Sequence, residues 1–225
     1  MLDALLDLVL PQPCAGCGGP GSWCASCAEE LAAAARHPLG WCRPSPVPVG
    51  FPPAAAAAAY GGAVRGALLA HKERGRLSLA RPLGAALAAA VCCLDPPRRL
   101  VLVPVPSSRA AVRARGHDHA RRLAAAAAKA LVQQGFSVSV APLLGLTRRT
   151  GDQADLGARQ RAGNLAGAMT TRLAVRPDGA VVLVDDLMTT GASLTEAGRA
   201  LAVSGVVVHG AATVAATARR GAHRL

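Results

Sequence analysis

Three short apolar runs, RLVLVPVP, AVVLVDD and GVVVHGAATVAA, constrain the fold more than any other feature of the chain. Each is rich in β-branched residues, and stretches of helical character separate it from its neighbours. One such stretch is GGAVRGALLAHKERGRLSLARPLGAALAAAVCC; others run from about residue 117 to 134 and from about 193 to 204, and SVSVAP reads as a further short strand. Short buried strands alternating with helices are the pattern of a parallel sheet covered on both faces, so an α/β fold is expected. No run approaches the roughly 18 apolar residues that span a bilayer. We therefore expect no membrane insertion and a cytoplasmic location.

Cysteine and proline divide the sequence. Residues 1 to 50 hold five of the seven cysteines and end in the proline-rich WCRPSPVPVGFPP, which continues neither a helix nor a central strand. A boundary is placed there, giving an N-terminal helix and cysteine module over 1–50 and an α/β domain over 51–225. The opening MLDALLDLVLPQP carries Asp3 and Asp7 and lacks a basic start, so it reads as an amphipathic helix with Leu2, Leu5, Leu6 and Val9 on one face rather than as a secretion signal.

In PCAGCGGPGSWCASC, the residues Cys14, Cys17, Cys24 and Cys27 form two C-x-x-C pairs. Two turns presenting two thiolates each complete a tetrahedral shell with no open position, which points to a structural Zn2+. Cys42 stands apart, and Cys92 with Cys93 closes an alanine-rich helix and is assigned to the core.

The formal net charge is +12, supplied almost wholly by arginine. An anionic partner fits that balance, and so does simple composition bias, since long alanine tracts such as PPAAAAAAY accompany it.

The stretch VVLVDDLMTTGASL, residues 181 to 194, carries the chemistry. A buried strand ends in two carboxylates, and a threonine-glycine loop leads at once into a helix. Thr189, Thr190, Gly191, Ala192 and Ser193 are placed to surround a phosphate with hydroxyls and backbone N–H groups at the positive end of a helix dipole. Asp185 and Asp186 repel phosphate but accept hydrogen bonds from vicinal hydroxyls. The two halves suit the two ends of a ribose 5-phosphate.

At every position, VVLVDDLMTTGAS resembles the phosphoribosyl pyrophosphate signature of the type I phosphoribosyltransferases. The likeness extends along the chain: the four-cysteine module, Y-x-G-x-x-R-x-x-L-x-x-x-K-x-R-G-R from Tyr60 to Arg76, LVPVP, R-x-R-G before a helix, and LTRRTGDQADLGARQRAGNLAGAM together resemble the ComF family. That resemblance implies a type I phosphoribosyltransferase-like parallel sheet flanked by helices, with a small N-terminal four-cysteine zinc module. It assigns the ribose hydroxyls to Asp185 and Asp186 and the 5-phosphate to the loop from Thr189 to Ser193. Two departures stand out. Only Cys42 remains of a second cysteine pair, and His117, Asp118 and His119 replace the family's Phe, Asn and Gln.

The resemblance also places the pyrophosphate on the loop after LVPVP, making Ser107, Ser108 and Arg109 candidates, with Arg113 and Arg115 nearby; a merely solvated basic loop is the plainer alternative. Lys72 is one of only two lysines and is a further candidate. The segment 147 to 164 is expected to close over the site, with Arg148, Arg149, Gln153, Arg159, Arg161 and Asn164 available to it. The function implied is a Mg2+-dependent transfer of the phosphoribosyl group to a nitrogen nucleophile. The alternative is a non-catalytic nucleotide-binding competence factor acting in DNA uptake through a helicase or single-stranded DNA. Only 2% of residues are aromatic, which argues against base-stacking platforms. A homo-oligomer remains a further open reading.

Overall fold

The structure is a computed structural model of the full chain, and residues 12–147, 167–172 and 176–217 are described. The amphipathic helix expected at residues 2–9 and nearly all of the expected closing segment, including Arg148, Arg149, Gln153, Arg159, Arg161 and Asn164, lie outside the described residues.

Six strands form the main sheet: β1 (Gly40–Trp41), β2 (Ala54–Ala59), β3 (Arg99–Pro104), β4 (Ser137–Val140), β7 (Ala180–Met188) and β8 (Val208–Ala216). Their order is β1-β2-β8-β7-β3-β4, parallel throughout except for β1, which runs antiparallel along β2. A separate antiparallel pair joins β5 (Leu144–Leu146) to β6 (Met169–Thr171). The helices are α1 (Ala25–Arg36), α2 (Gly62–Glu73), α3 (Ala80–Cys92), α4 (Arg109–Arg115), α5 (His119–Gln133) and α6 (Ala192–Val203). The described residues thus form an α/β fold with a mostly parallel sheet flanked by helices. The long helical stretch expected after Gly61 is two helices, because the chain turns at Gly75 with φ +64°.

Alternation along the strands feeds two cores. Val182 and Val184 join Leu100 and Leu102 against α1, α2, α3 and α5, while Val181 and Leu183 join Val101 and Val103 against α6 and the β5–β6 pair. The polyalanine tract, which composition bias would explain, is a buried strand. Alanine prefers helix, but Pro52 and Pro53 before it and Gly61 and Gly62 after it leave too few residues for one. Parallel pairing of Ala54 with Ala211 and Ala55 with Ala212 then satisfies the backbone.

Small residues let the layers close up. A Cβ on Gly84 would stand 2.4 Å from Ala126 Cβ and 2.8 Å from its carbonyl carbon, so α3 and α5 meet backbone to backbone there. A glycine inside a helix costs about 1 kcal/mol against alanine, and this contact is the reason it stands.

Residues before 51 are built onto the same body. β1 hydrogen-bonds to β2, and Leu31 and Ala34 of α1 lie in the larger core. Cys92 and Cys93 sit partly buried against that core and line a groove of about 440 Å³ at its edge, with Cys92 Sγ 3.4 Å from Gln134 Oε1.

Across the second core, buried Glu196 on α6 accepts from Met169 N at 2.9 Å and from Arg199 Nε at 2.6 Å, fixing the β5–β6 pair to α6. Burial alone would raise this carboxyl, but Arg199 and the backbone N–H groups outweigh burial and lower it. A lowered folded pKa stabilises above the unfolded value of about 4.3 and is lost as pH falls through the folded one. Glu196→Gln is therefore expected to lose about 1–3 kcal/mol at neutral pH by urea denaturation and to converge with the parent toward pH 3. Gly84→Val is expected to destabilise by about 2 kcal/mol through overpacking, read as a lower Tm.

Candidate functional site

In the sheet, β3 leads through α4 and α5 to β4 on one side, whereas β7 leads through α6 to β8 on the other. α5 and α6 also cover opposite faces. The carboxyl ends of β3 and β7 therefore flank a topological switch point, where open α/β sheets leave a crevice for ligands. Pro104, the last residue of β3, pairs with Val184, so Asp185 is the first residue of β7 beyond the end of its neighbour. Both segments with candidate residues, 104–109 and 185–193, emerge at this crevice.

Asp186 is 6% exposed, and a carboxylate so buried must be compensated. Lys72, in the last turn of α2, places Nζ 2.9 Å from Asp186 Oδ2, and His119, opening α5, places Nε2 3.5 Å from the same oxygen. Burial pushes Asp186 up, but His119 and Lys72 prevail and hold it well below the usual carboxylate range. Asp185 shifts the other way, raised first by burial and then by the charge of Asp186, although its Oδ1 accepts from Asp186 N at 2.8 Å. The pair is thus asymmetric, its two carboxyls shifted in opposite directions by their surroundings.

Two imidazoles stand behind Asp186. His117 spans α2 and the α4–α5 turn, with Nε2 3.0 Å from His71 O and Nδ1 3.1 Å from Arg115 O. Buried His71 meets the His117 ring edge-on at 5.7 Å, and burial together with the neighbouring His117 lowers its pKa to about 4. Three of the six histidines converge here. The sequence hinted at this only through their bunching in HKERG and RGHDH.

Gly191 has φ +74° and precedes α6, and a Cβ on it would stand 2.7 Å from Phe51 and 2.8 Å from Pro44. The proline-rich segment is thus the backing of the loop, which sequence reasoning did not foresee. Thr189 is exposed, Thr190, Ala192 and Ser193 are partly buried, and Thr190 Oγ1 lies 3.5 Å from Ala192 N.

Ser107, Ser108 and Arg109 line a cavity of about 830 Å³ with Arg113, Arg121 and Arg172. Ser108 Oγ caps α4 by accepting from Ala111 N at 3.1 Å. Arg115 is committed elsewhere, to Glu73 at 3.3 Å and to Ala111 O at 3.1 Å. This cavity adjoins the acidic pair without including it; Ser107 Oγ, 3.5 Å from His119 Nδ1, links the two.

Cys14, Cys17, Cys24 and Cys27 bring their sulfurs within 4.8 Å of one another, close enough to hold a metal ion, and Cys42 lies apart from them, packed against the second core. Their loop is seated on α2. Gly66 lets Ala15 O approach to where a Cβ would be 2.2 Å away, and Arg76 donates to Pro13 O at 2.9 Å. Burial and neighbouring thiols push Cys27 up to about 12, whereas backbone N–H donors, Cys24 N at 3.3 Å among them, overcome burial and bring Cys14 down to about 6. Among the described residues, no helix is long and apolar enough to cross a membrane.

Lys72→Met should leave the Asp186 charge buried beside His119 alone and destabilise the fold by about 2 kcal/mol at pH 7. Adding Asp186→Asn should restore much of that loss, as read by a double-mutant cycle in urea; additive losses would show that the two groups are not coupled.

Compared with known proteins, the chain is matched by no family model and by no curated protein.

Proposed function

We propose that the crevice binds phosphoribosyl pyrophosphate and that the protein is a phosphoribosyltransferase of the ComF kind, built on a type I phosphoribosyltransferase-like fold with a zinc-holding N-terminal module. The observation that carries this reading is the position of Asp185, Asp186 and the loop from Thr189 to Ser193 at the switch point of the sheet. The acidic pair suits the ribose hydroxyls, and the start of α6 suits the 5-phosphate. Ser107, Arg109 and Arg113, across the crevice on the cavity wall, suit the diphosphate.

In the transfer, the bond from C1 of the ribose to the diphosphate oxygen breaks and a bond from C1 to an acceptor nitrogen forms. The diphosphate leaves with the electron pair, and the nitrogen gives up a proton. Asp185 and Asp186 would hold Mg2+ through the hard oxygen donors it prefers, and when bound it would supply positive charge to offset that of the departing diphosphate. The cavity arginines stabilise that same charge from the protein side. An ionised Asp186, held so by Lys72 and His119, is ready to accept hydroxyl hydrogen bonds as soon as the sugar enters.

With four sulfurs gathered within reach of one ion, the cysteine cluster suits a closed, structural Zn2+. The net charge of +12 favours a second use of the same fold, in which the sugar phosphate is bound without transfer and an acidic partner such as single-stranded DNA or its helicase docks on the basic surface.

Release of pyrophosphate from phosphoribosyl pyrophosphate and Mg2+, measured against nucleobases and simple amines, is expected with one acceptor class. Asp186→Asn should weaken sugar-phosphate binding at least about tenfold by calorimetry, a loss of some 1.4 kcal/mol. Unchanged binding in that variant would remove the reading. Binding without release across the panel would transfer the conclusion to the second use.

A further inference from the structure

α5 brings an imidazole to the acidic pair, and neither the ribose hydroxyls nor the diphosphate needs one. His119 is 3% exposed, with Nε2 3.5 Å from Asp186 Oδ2 and Nδ1 3.5 Å from Ser107 Oγ. A neutral imidazole carries one N–H. With that proton on Nδ1, the Nε2 lone pair is turned to the Asp186 carboxylate, an arrangement suited to a shared cation; with a proton on Nε2 the ring is instead the ion-pair partner of Asp186 described above.

The donor atoms of His119, Asp185 and Asp186 all lie within 4.8 Å of one another. Ligands bound to one ion at about 2.1 Å stand roughly 3.0 to 4.2 Å apart, so small side-chain adjustments bring the three onto a common centre. The position already draws a cation, since the Lys72 ammonium rests on Asp186 Oδ2, and with a side chain 32% exposed it has room to withdraw. The nearby His71 Nε2 is buried with no hydrogen-bond partner among the described residues, and that ring lies close enough for the charges of His119 and Asp186 to act on it.

We propose that His119, Asp185 and Asp186 form a site for a divalent first-row transition ion of the Mn2+ kind, which the protein binds by itself before any sugar phosphate arrives. Two carboxylates and one imidazole nitrogen are a mixed donor set that favours such an ion over Mg2+. Ser107 Oγ, 3.5 Å from Nδ1, stands where outer-shell partners of metal-bound histidines stand. The inference deepens the reading of the acidic pair given above, but it needs only that pair and His119, not the identity of the sugar.

The test uses the tag-free chain carrying a single Zn2+ equivalent and freed of excess zinc, titrated with Mn2+ in the absence of phosphoribosyl pyrophosphate. Electron paramagnetic resonance of free Mn2+ counts the bound ion, and pulsed measurements detect nitrogen coupled to it. One Mn2+ per chain with a ¹⁴N coupling is expected, retained against an equal concentration of Mg2+. In His119→Gln the coupling should vanish and binding should weaken at least about tenfold, whereas His209→Gln should change neither. Absent binding, a coupling that persists in His119→Gln, or displacement by equal Mg2+ would each overturn the proposal. Should His119→Gln fail to fold, Asp185→Asn serves instead: it should weaken Mn2+ about tenfold while keeping the coupling, and unchanged binding would be fatal. Calorimetry with phosphoribosyl pyrophosphate and Mg2+ is run separately. Mn2+ bound with no sugar-phosphate binding removes the transferase reading and keeps the metal site; the reverse removes the metal site alone.

Discussion

An interior in which alanine is the commonest residue buries little apolar area per residue, so it must recover stability through close approach. The chain does this wherever layers meet. Gly84 lets α3 lie on the backbone of α5, Gly66 lets α2 lie on the cysteine loop, and the paired alanines of β2 and β8 keep the sheet thin beneath α3. Leucines at positions 83, 87, 123, 131 and 201 fill what remains. Such a core has little slack, because an added methyl at these crossings meets backbone rather than a side chain that can move aside.

That tight body is what makes a buried charge tolerable at Asp186. Its compensation comes from Lys72 on α2 and His119 on α5, two helices packed over the same face of the sheet. Neither partner lies near Asp186 in sequence. The site therefore exists only when α2, α5 and β7 are in register, and the ion pair in turn reports on their packing.

Much of this was legible in the sequence. The three apolar runs became β3, β7 and β8, and the helices expected near residues 117–134 and 193–204 stand at His119–Gln133 and Ala192–Val203. The cysteine spacing foresaw a cluster able to hold a metal, because short-range turn geometry is written locally. The polyalanine strand escaped because its conformation is imposed by β8, over 150 residues away in sequence, against local preference. The histidine cluster escaped for a related reason: His71 lies on one helix and His117 and His119 on another segment, and only the packing brings them to Asp186. The short helix α4 was hidden inside a loop that reads as basic and polar, although Ser108 is an ordinary cap.

The seating of the cysteine loop on α2 has a mechanical consequence. Gly66 and Arg76 clamp the loop to the helix and to the turn just after it, and Lys72 lies between them on the same rod, projecting to the crevice. Position and tilt of that rod are thus set at a metal-sized knot of four sulfurs and felt at a carboxylate on the far side of the helix. The knot acts as a bearing for the site, and a chain that lost it would keep every residue of the crevice while losing the reference point from which Lys72 is aimed.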